Sequence, residues 1–439
     1  MIGQTIQCVS RLKSHHSAVV GWRRSRHSAG LRFRIVLLTI LFSSVMTPLG
    51  AQTVKELESR GLALEKQGDA QDALATWEKA AALDPKSASI QDHIGFLLAV
   101  LNRREEAIPY FERALELDQH LAPAHYHLGV AYLMQRDPNR GIPELQTAVD
   151  SVPKNFDYRF YLGRALNDTA HYREALIQLR AATALNAVHG EAWNQLGLAL
   201  QNTGSEVDAL EAYGRAVKLD PSNLDARNNY GFMLVNTGRA EDGVKQFEQI
   251  LGVDPDNAMA RVNIGFANLQ KGDLSAAESQ FRRVINRNPE SAIAHYDLGV
   301  TLKLKDQLDV ASSELKQALK LDPHLEEAHY TLGVIYWQTG DFEQAAQEMK
   351  TAVALNPNDG EANLMLGSAL NKKGDLDGAE LALQSAIRID PSNPGPYNML
   401  GEVLKRKSDN EGSRQAFAAA ARATEKRNRE LGKMLQKTP

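Results

Sequence analysis

The sequence predicts an all-α protein, a solenoid of eleven helical hairpins, and three observations carry that reading. Glycine recurs at 61, 95, 129, 163, 197, 231, 265, 299, 333, 367 and 401, every interval being 34 residues. Small residues move with it. Twelve positions on stand Ala73, Ala107, Gly141, Ala175, Ala209, Gly243, Ala277, Ala311, Ala345, Ala379 and Ser413, and alanine predominates again nineteen positions on. Proline follows at 85, 153, 221, 255, 289, 323, 357 and 391, where each second helix should stop. A fixed period of this length marks a repeat architecture. Runs of β-branched residues bounded by turns are scarce, which leaves helices as the repeating units.

The chain opens on a leader. Residues 1–51 hold seven basic side chains and no acid, leaving 43 basic against 54 acidic groups, a net −11, for the remainder of the chain. A basic stretch, the apolar run from Ile35 to Met46 and the small residues before Gln52 make the three-part layout of a secretory signal, with cleavage expected after Ala51. The apolar run is shorter than the roughly 20 residues a spanning helix prefers. An uncleaved anchor formed by residues 35–49, or an organelle transit peptide, is the alternative to export to the periplasm or the extracellular space. Cys8, the one cysteine, lies in this leader, so removal of the leader is expected to leave a mature chain with no disulfide or thiolate metal site.

Residues 54–427 then carry the eleven hairpins. Glycine and alanine let two helix backbones approach closely, where a larger side chain would hold them apart. Bulky residues fill the rest: Leu128, Leu162, Leu196, Leu298, Leu332, Leu366 and Leu400 before the glycine, and Trp77, Phe111, Tyr213, Phe247, Phe281 and Phe417 sixteen after it. Gly-Asp pairs at 68–69, 272–273, 340–341 and 374–375 supply a left-handed cap between the two helices. Asp-Pro or Asn-Pro closes the second helix, because a residue before proline avoids the helical region.

This pattern resembles the tetratricopeptide repeat. Repeat five carries it best, with Trp193, Leu196, Gly197, Ala209, Tyr213 and Pro221, and departs from it at Leu200, where tyrosine is usual. The resemblance spans nearly the whole mature chain and implies a right-handed superhelical α-solenoid of helix-turn-helix repeats that binds other proteins or peptides. Repeats one and eleven are weaker copies, as terminal repeats tend to be. Residues 428–439 are expected to form a charged helical cap or tail.

In such a solenoid the first helix of each hairpin lines the concave wall, at offsets three before, one after and four or five after the glycine. In repeats four to six these offsets give a row of amides: Asn167, Asn194, Asn202, Asn228 and Asn236. Primary amides donate and accept, so such a row can hold an extended peptide backbone, a use the resemblance also implies. In repeats seven to nine the offsets are apolar: Val262, Phe266, Tyr296, Val300, Tyr330, Val334 and Trp337. Repeats two and three add Phe96, Ala99, Val100, Tyr126, Val130, Leu133 and Met134. Apolar side chains on a wall that should face water mark a partner site, unless neighbouring repeats bury them or they close a homo-oligomer.

Signals for chemistry fall away. No phosphate-cradling loop forms, since the glycines recur at 34 and do not bunch. His125, His295 and His329 share one repeat offset, which makes them structural and not metal ligands. The acidic repeat region lacks the basic stripe of a nucleic-acid binder. No cofactor is expected, and membrane contact only through an uncleaved leader. The expected function is a non-catalytic binding scaffold. Its alternatives are an accessory module of a Ser/Thr glycosyl-transfer system whose catalytic part is a separate chain, and a membrane-anchored cytosolic adaptor.

Overall fold

Alanine, leucine and glutamate dominate the repeat region, and the computed structural model, which describes residues 53–435, folds it into twenty-two α-helices with no strand among them. The leader, its apolar run and the expected cut after Ala51 lie outside the described residues, as do residues 436–439 of the expected tail. The helices pair into eleven hairpins in the predicted register. The first is Val54–Gln67 with Ala70–Leu83, and the seventh is Ala258–Gln270 with Leu274–Arg287. The last is Pro394–Arg406 with Asn410–Leu435, a single 26-residue helix. The hairpins belong to two compact units, residues 53–233 and 234–435, whose border falls inside the helix Leu224–Asn236. Within each unit the second helix of a hairpin packs on the first helix of the next.

The glycine column does what its spacing demands. A Cβ on Gly61 would stand 2.6 Å from the Trp77 ring, and one on Gly265 would stand 2.5 Å from Phe281. The aromatic residue sixteen positions on lies directly over the glycine, and Trp77, Phe111, Tyr213, Phe247 and Phe281 are all buried. Each such side chain contributes about 1.5–3 kcal/mol through removal from water. Phe417, in the final hairpin, lies over Gly401 but stays 40% exposed.

Both ends of the first helices are written into the sequence. Eight positions before the glycine stand Thr53, Ser87, Asn155, Asn223, Asn257, Ser291, Asp359 and Asn393, whose side chains accept from the first free backbone N–H groups. Only Leu121 and Leu325 leave that column without a capping side chain; His189 fills it with a ring nitrogen. Seven positions after the glycine, all eleven hairpins place a residue with positive φ. Six are glycine, including the four predicted from Gly-Asp pairs, and five are Asn102, Arg136, Ala170, Asp306 and Ser408. A left-handed conformation costs an L-residue about 1–2 kcal/mol. Ala170, at φ 61, has no side-chain hydrogen bond to offset it. Ala170→Gly is therefore expected to raise stability by about 0.5–1 kcal/mol, read as a rise in the thermal midpoint; a fall would show that the alanine serves another purpose.

Most hairpin-to-hairpin turns are held by the Asp or Asn that ends the second helix, Val152 being an exception. The carboxylate of Asp118 accepts from the His120 backbone N–H at 2.9 Å, and Asp220 and Asp390 accept likewise from Ser222 and Ser392. The aspartate thus shapes the turn alongside the proline that follows Asp220 and Asp390, and at Asp118, which precedes Gln119, it does so without one.

Candidate partner-binding surface

The first-helix wall is where the sequence leads one to expect a partner, and its polar members are largely engaged. Asn167 is buried, and its Nδ2 donates to the Gln195 carbonyl at 2.9 Å and to Gln195 Oε1 at 3.1 Å. Asn194 is buried too, its Oδ1 accepting from Asn229 Nδ2 at 3.0 Å. Asn202 is exposed but donates to the Leu198 carbonyl of its own helix at 2.9 Å. Asn228 is buried, and Asn236 is half-buried with no partner for Oδ1 among the described residues. The amides therefore do not stand as a free row. Asn167 and Asn194 are taken by a ladder that steps between successive first helices.

The same ladder runs through other chemistry elsewhere. His93 Nδ1 meets Glu65 Oε1 at 2.9 Å, with Trp77 stacked on the imidazole at 4.2 Å and donating to the same carboxylate. His127 Nδ1 meets Asp92 Oδ1 at 2.8 Å. Trp337 Nε1 donates to Ser368 at 3.1 Å, and Arg406 reaches back to Asn371. Fixing neighbouring first helices is work that single-sequence reading missed. The signal was present, since Gln195 and Asn229 fall two positions before their glycines.

The apolar residues divide into two groups. Val262, Phe266, Tyr296, Val300, Tyr330 and Val334 are all buried, with Tyr296 at 1% exposure, and Trp337 is half-buried. Tyr330 and Val334 pack in one cluster with Met349 and Leu366 of adjacent helices. For these two the expectation of an open wall is corrected: neighbouring helices of the stack cover them, as close-packed interiors require. Hairpins two and three differ. Val100 is 56% exposed and Met134 55%, and Phe96, Tyr126, Val130 and Leu133 beside them are half-buried. Tyr126 is anchored from below by stacking on the buried Tyr158 at 4.9 Å.

The repeated histidines brace the turns. His125, His295 and His329 each set Nδ1 at 2.6 Å from a glutamate nineteen residues on, Glu144, Glu314 and Glu348. Their Nε2 atoms face the carbonyls of Gln119, Pro289 and Pro323. For His329, burial disfavours the charged ring, but the Glu348 carboxylate and the Pro323 carbonyl outweigh it and hold its pKa above the ordinary value. A folded pKa that is raised stabilises the fold fully below the unfolded pKa of about 6.5 and loses that contribution as pH rises through the folded value. His329→Gln should therefore flatten the fall in stability between mildly acidic and mildly basic pH; an unchanged slope in denaturant titrations at several pH values would refute this. Among the described residues no three ligating side chains gather to hold a metal, and no helix is long and apolar enough to cross a membrane.

Helical hairpins paired on one 34-residue plan, second helices packed within each unit on the next first helix, define a helical-repeat protein of the scaffold type. Family models described as tetratricopeptide repeat match residues 58–122, 94–138, 126–169, 151–321 and 330–394, and a further TPR repeat model matches 303–340. The chain belongs to the tetratricopeptide repeat family, whose members are in general non-catalytic scaffolds for proteins. No curated relative matches it. Among solved structures, a tetratricopeptide repeat protein from Parabacteroides merdae ATCC 43184 superposes with a TM-score of 0.52 at 16% identity, covering 57% of this chain and 98% of that one; it shares the fold. YrrB, described as a TPR protein with an unusual peptide-binding site, is 27% identical over 42% of this chain and 95% of its own, with a TM-score of 0.39. MamA is 26% identical over 38% of this chain and 97% of its own, with a TM-score of 0.37.

Proposed function

We propose that this protein is an exported scaffold that holds an apolar or amphipathic segment of a partner polypeptide against the first helices of hairpins two and three. One observation carries the reading: Val100 and Met134 stand more than half exposed on a wall whose other apolar positions are largely covered. The two hold the same place in successive hairpins, with Phe96, Tyr126, Val130 and Leu133 half-buried on the same helices, and an apolar strip that continues from repeat to repeat is the kind of surface that marks a partner site. The net −11 outside the leader would steer a basic or amphipathic partner towards it. The other expected positions offer no such strip: Val262, Phe266, Tyr296, Val300, Tyr330 and Val334 are buried, and Asn167 and Asn194 are engaged with neighbouring first helices. Replacing Tyr296 or Tyr330 by alanine would test stability as much as binding, since both are buried.

Export rests on the basic, acid-free leader and its apolar run. Sequencing the N-terminus of the protein from its native cells tests it: a start near Gln52 supports cleavage, and an intact leader supports the anchored adaptor instead. The scaffold reading is tested by capture from the native extract with the wild type and with a Val100→Glu/Met134→Glu variant. A protein held by the first and lost by the second upholds the groove, whereas equal capture by both moves the site elsewhere.

A further inference from the structure

Eleven hairpins built on one plan make departures from that plan informative. Two columns face each other at the turn end of a hairpin, four before the glycine on the first helix and eighteen after it on the second. In hairpin five they hold Trp193 and Arg215, and the guanidinium lies over the indole at 4.5 Å. Hairpin seven instead puts Arg261 and Arg283 in those columns, two like charges where the fifth has a cation on a ring. A third column, twenty-two after the glycine, is aliphatic in eight of the first ten hairpins, Leu219 and Val253 among them, and is Arg287 in the seventh.

The counter-charge for this cluster is missing from the hairpin. Fifteen positions after the glycine, hairpins three, eight and nine carry the glutamates that face their histidines at 2.6 Å. In hairpin four, Arg159 donates to Gln178 Oε1 in that column at 2.7 Å. Hairpin seven has Gln280 there, and its Oε1 is buried with no partner among the described residues. The half-buried Arg261 donates to the Pro255 carbonyl at 2.7 Å, and Arg287 stands 3.4 Å from Asp256, the side chains of this second pair largely exposed. Arg261, Arg283 and Arg287 line one pocket of about 260 Å³ with Asp256 and Asn288. Three guanidinium groups against one carboxylate leave it two positive charges in excess.

We propose that this pocket of hairpin seven binds a phosphate-type dianion, either the free ion or a phosphorylated side chain. Planar guanidinium forks match phosphate oxygens in pairs, and a phosphate monoester carries about −1.5 to −2 charge at neutral pH, which balances the excess. Bound there, the anion separates Arg261 from Arg283 and supplies the charge that glutamate supplies in hairpins three, eight and nine. None of these residues belongs to the first-helix surface of hairpins two and three, so either reading survives the failure of the other.

The test is calorimetric titration of the full chain with inorganic phosphate and with an O-phosphoserine peptide, each against chloride at matched ionic strength. The comparison protein is Arg283→Gln/Arg287→Leu, in which the second change restores the residue type most hairpins carry. The wild type should bind phosphate with saturation, and the double variant should bind at least tenfold more weakly while its thermal midpoint in chloride is unchanged. Tighter binding of the peptide than of the free ion assigns the pocket to a phosphorylated partner, and equal binding assigns it to the ion. No saturable heat from the wild type with either ligand, or the same affinity in both proteins, overturns the proposal.

Discussion

Gly197→Val is expected to destabilise the protein by about 1–3 kcal/mol, the usual cost of forcing extra carbon into a packed core. A Cβ at this position would stand 2.6 Å from two ring carbons of Tyr213. Tyr213 cannot swing clear, because it is fully buried and its hydroxyl donates to Gln201 Oε1 at 3.0 Å. The two helices of hairpin five would have to separate, and the damage should spread to neighbouring hairpins, since each repeat depends on its interfaces. Gly252→Ala is the matched control. That glycine lies inside the helix Ala240–Val253 with nothing within 4 Å of the added carbon, so alanine should stabilise by about 0.5–1 kcal/mol. Opposite signs for two glycines in helices, measured by denaturant unfolding, would separate the packing role of the 34-residue column from helix propensity. Equal effects would mean that the close approach of the helices is not what the glycine column provides.

The second large effect is expected in binding. Val100→Glu/Met134→Glu should leave the thermal midpoint nearly unchanged, because both side chains are already more than half in water. Affinity for the partner segment should fall on the order of 100-fold, from two lost apolar contacts and two carboxylates left against an apolar ligand. Most of that loss should appear as faster dissociation. Loss of affinity together with a lower midpoint would instead assign these residues to the core.

The hairpin register was fully legible, because Gly61 to Gly401 repeat without slippage and each column has one steric reason. The left-handed cap was legible only where glycine advertised it. Ala170 and Arg136 occupy the same place in the period, and there the position carried the information while the residue type hid it. The first-helix surface was read less well. Helical periodicity groups residues by face, but it could not tell Tyr330 and Val334, packed with Met349, from Val100 and Met134, left in water. That distinction depends on which neighbour reaches across, and the offset within one helix does not contain it. Asn167 and Asn194 failed as free amides for the same reason, their partners Gln195 and Asn229 standing on the first helix of the next hairpin. Hairpin seven shows the converse: side chains that break a column were visible in the sequence as Arg261, Arg283 and Arg287, and gained meaning only when they were found to line one pocket.

The central claim is that hairpins two and three hold the partner, and site-specific photo-crosslinking in native cells addresses it most directly. A crosslinking side chain at Val100 or at Met134 should trap the same single protein, and one at Val207, which is 79% exposed on a second helix, should trap none. Crosslinks from Val207 equal to those from Val100 and Met134, or none from either first-helix position, would contradict the account.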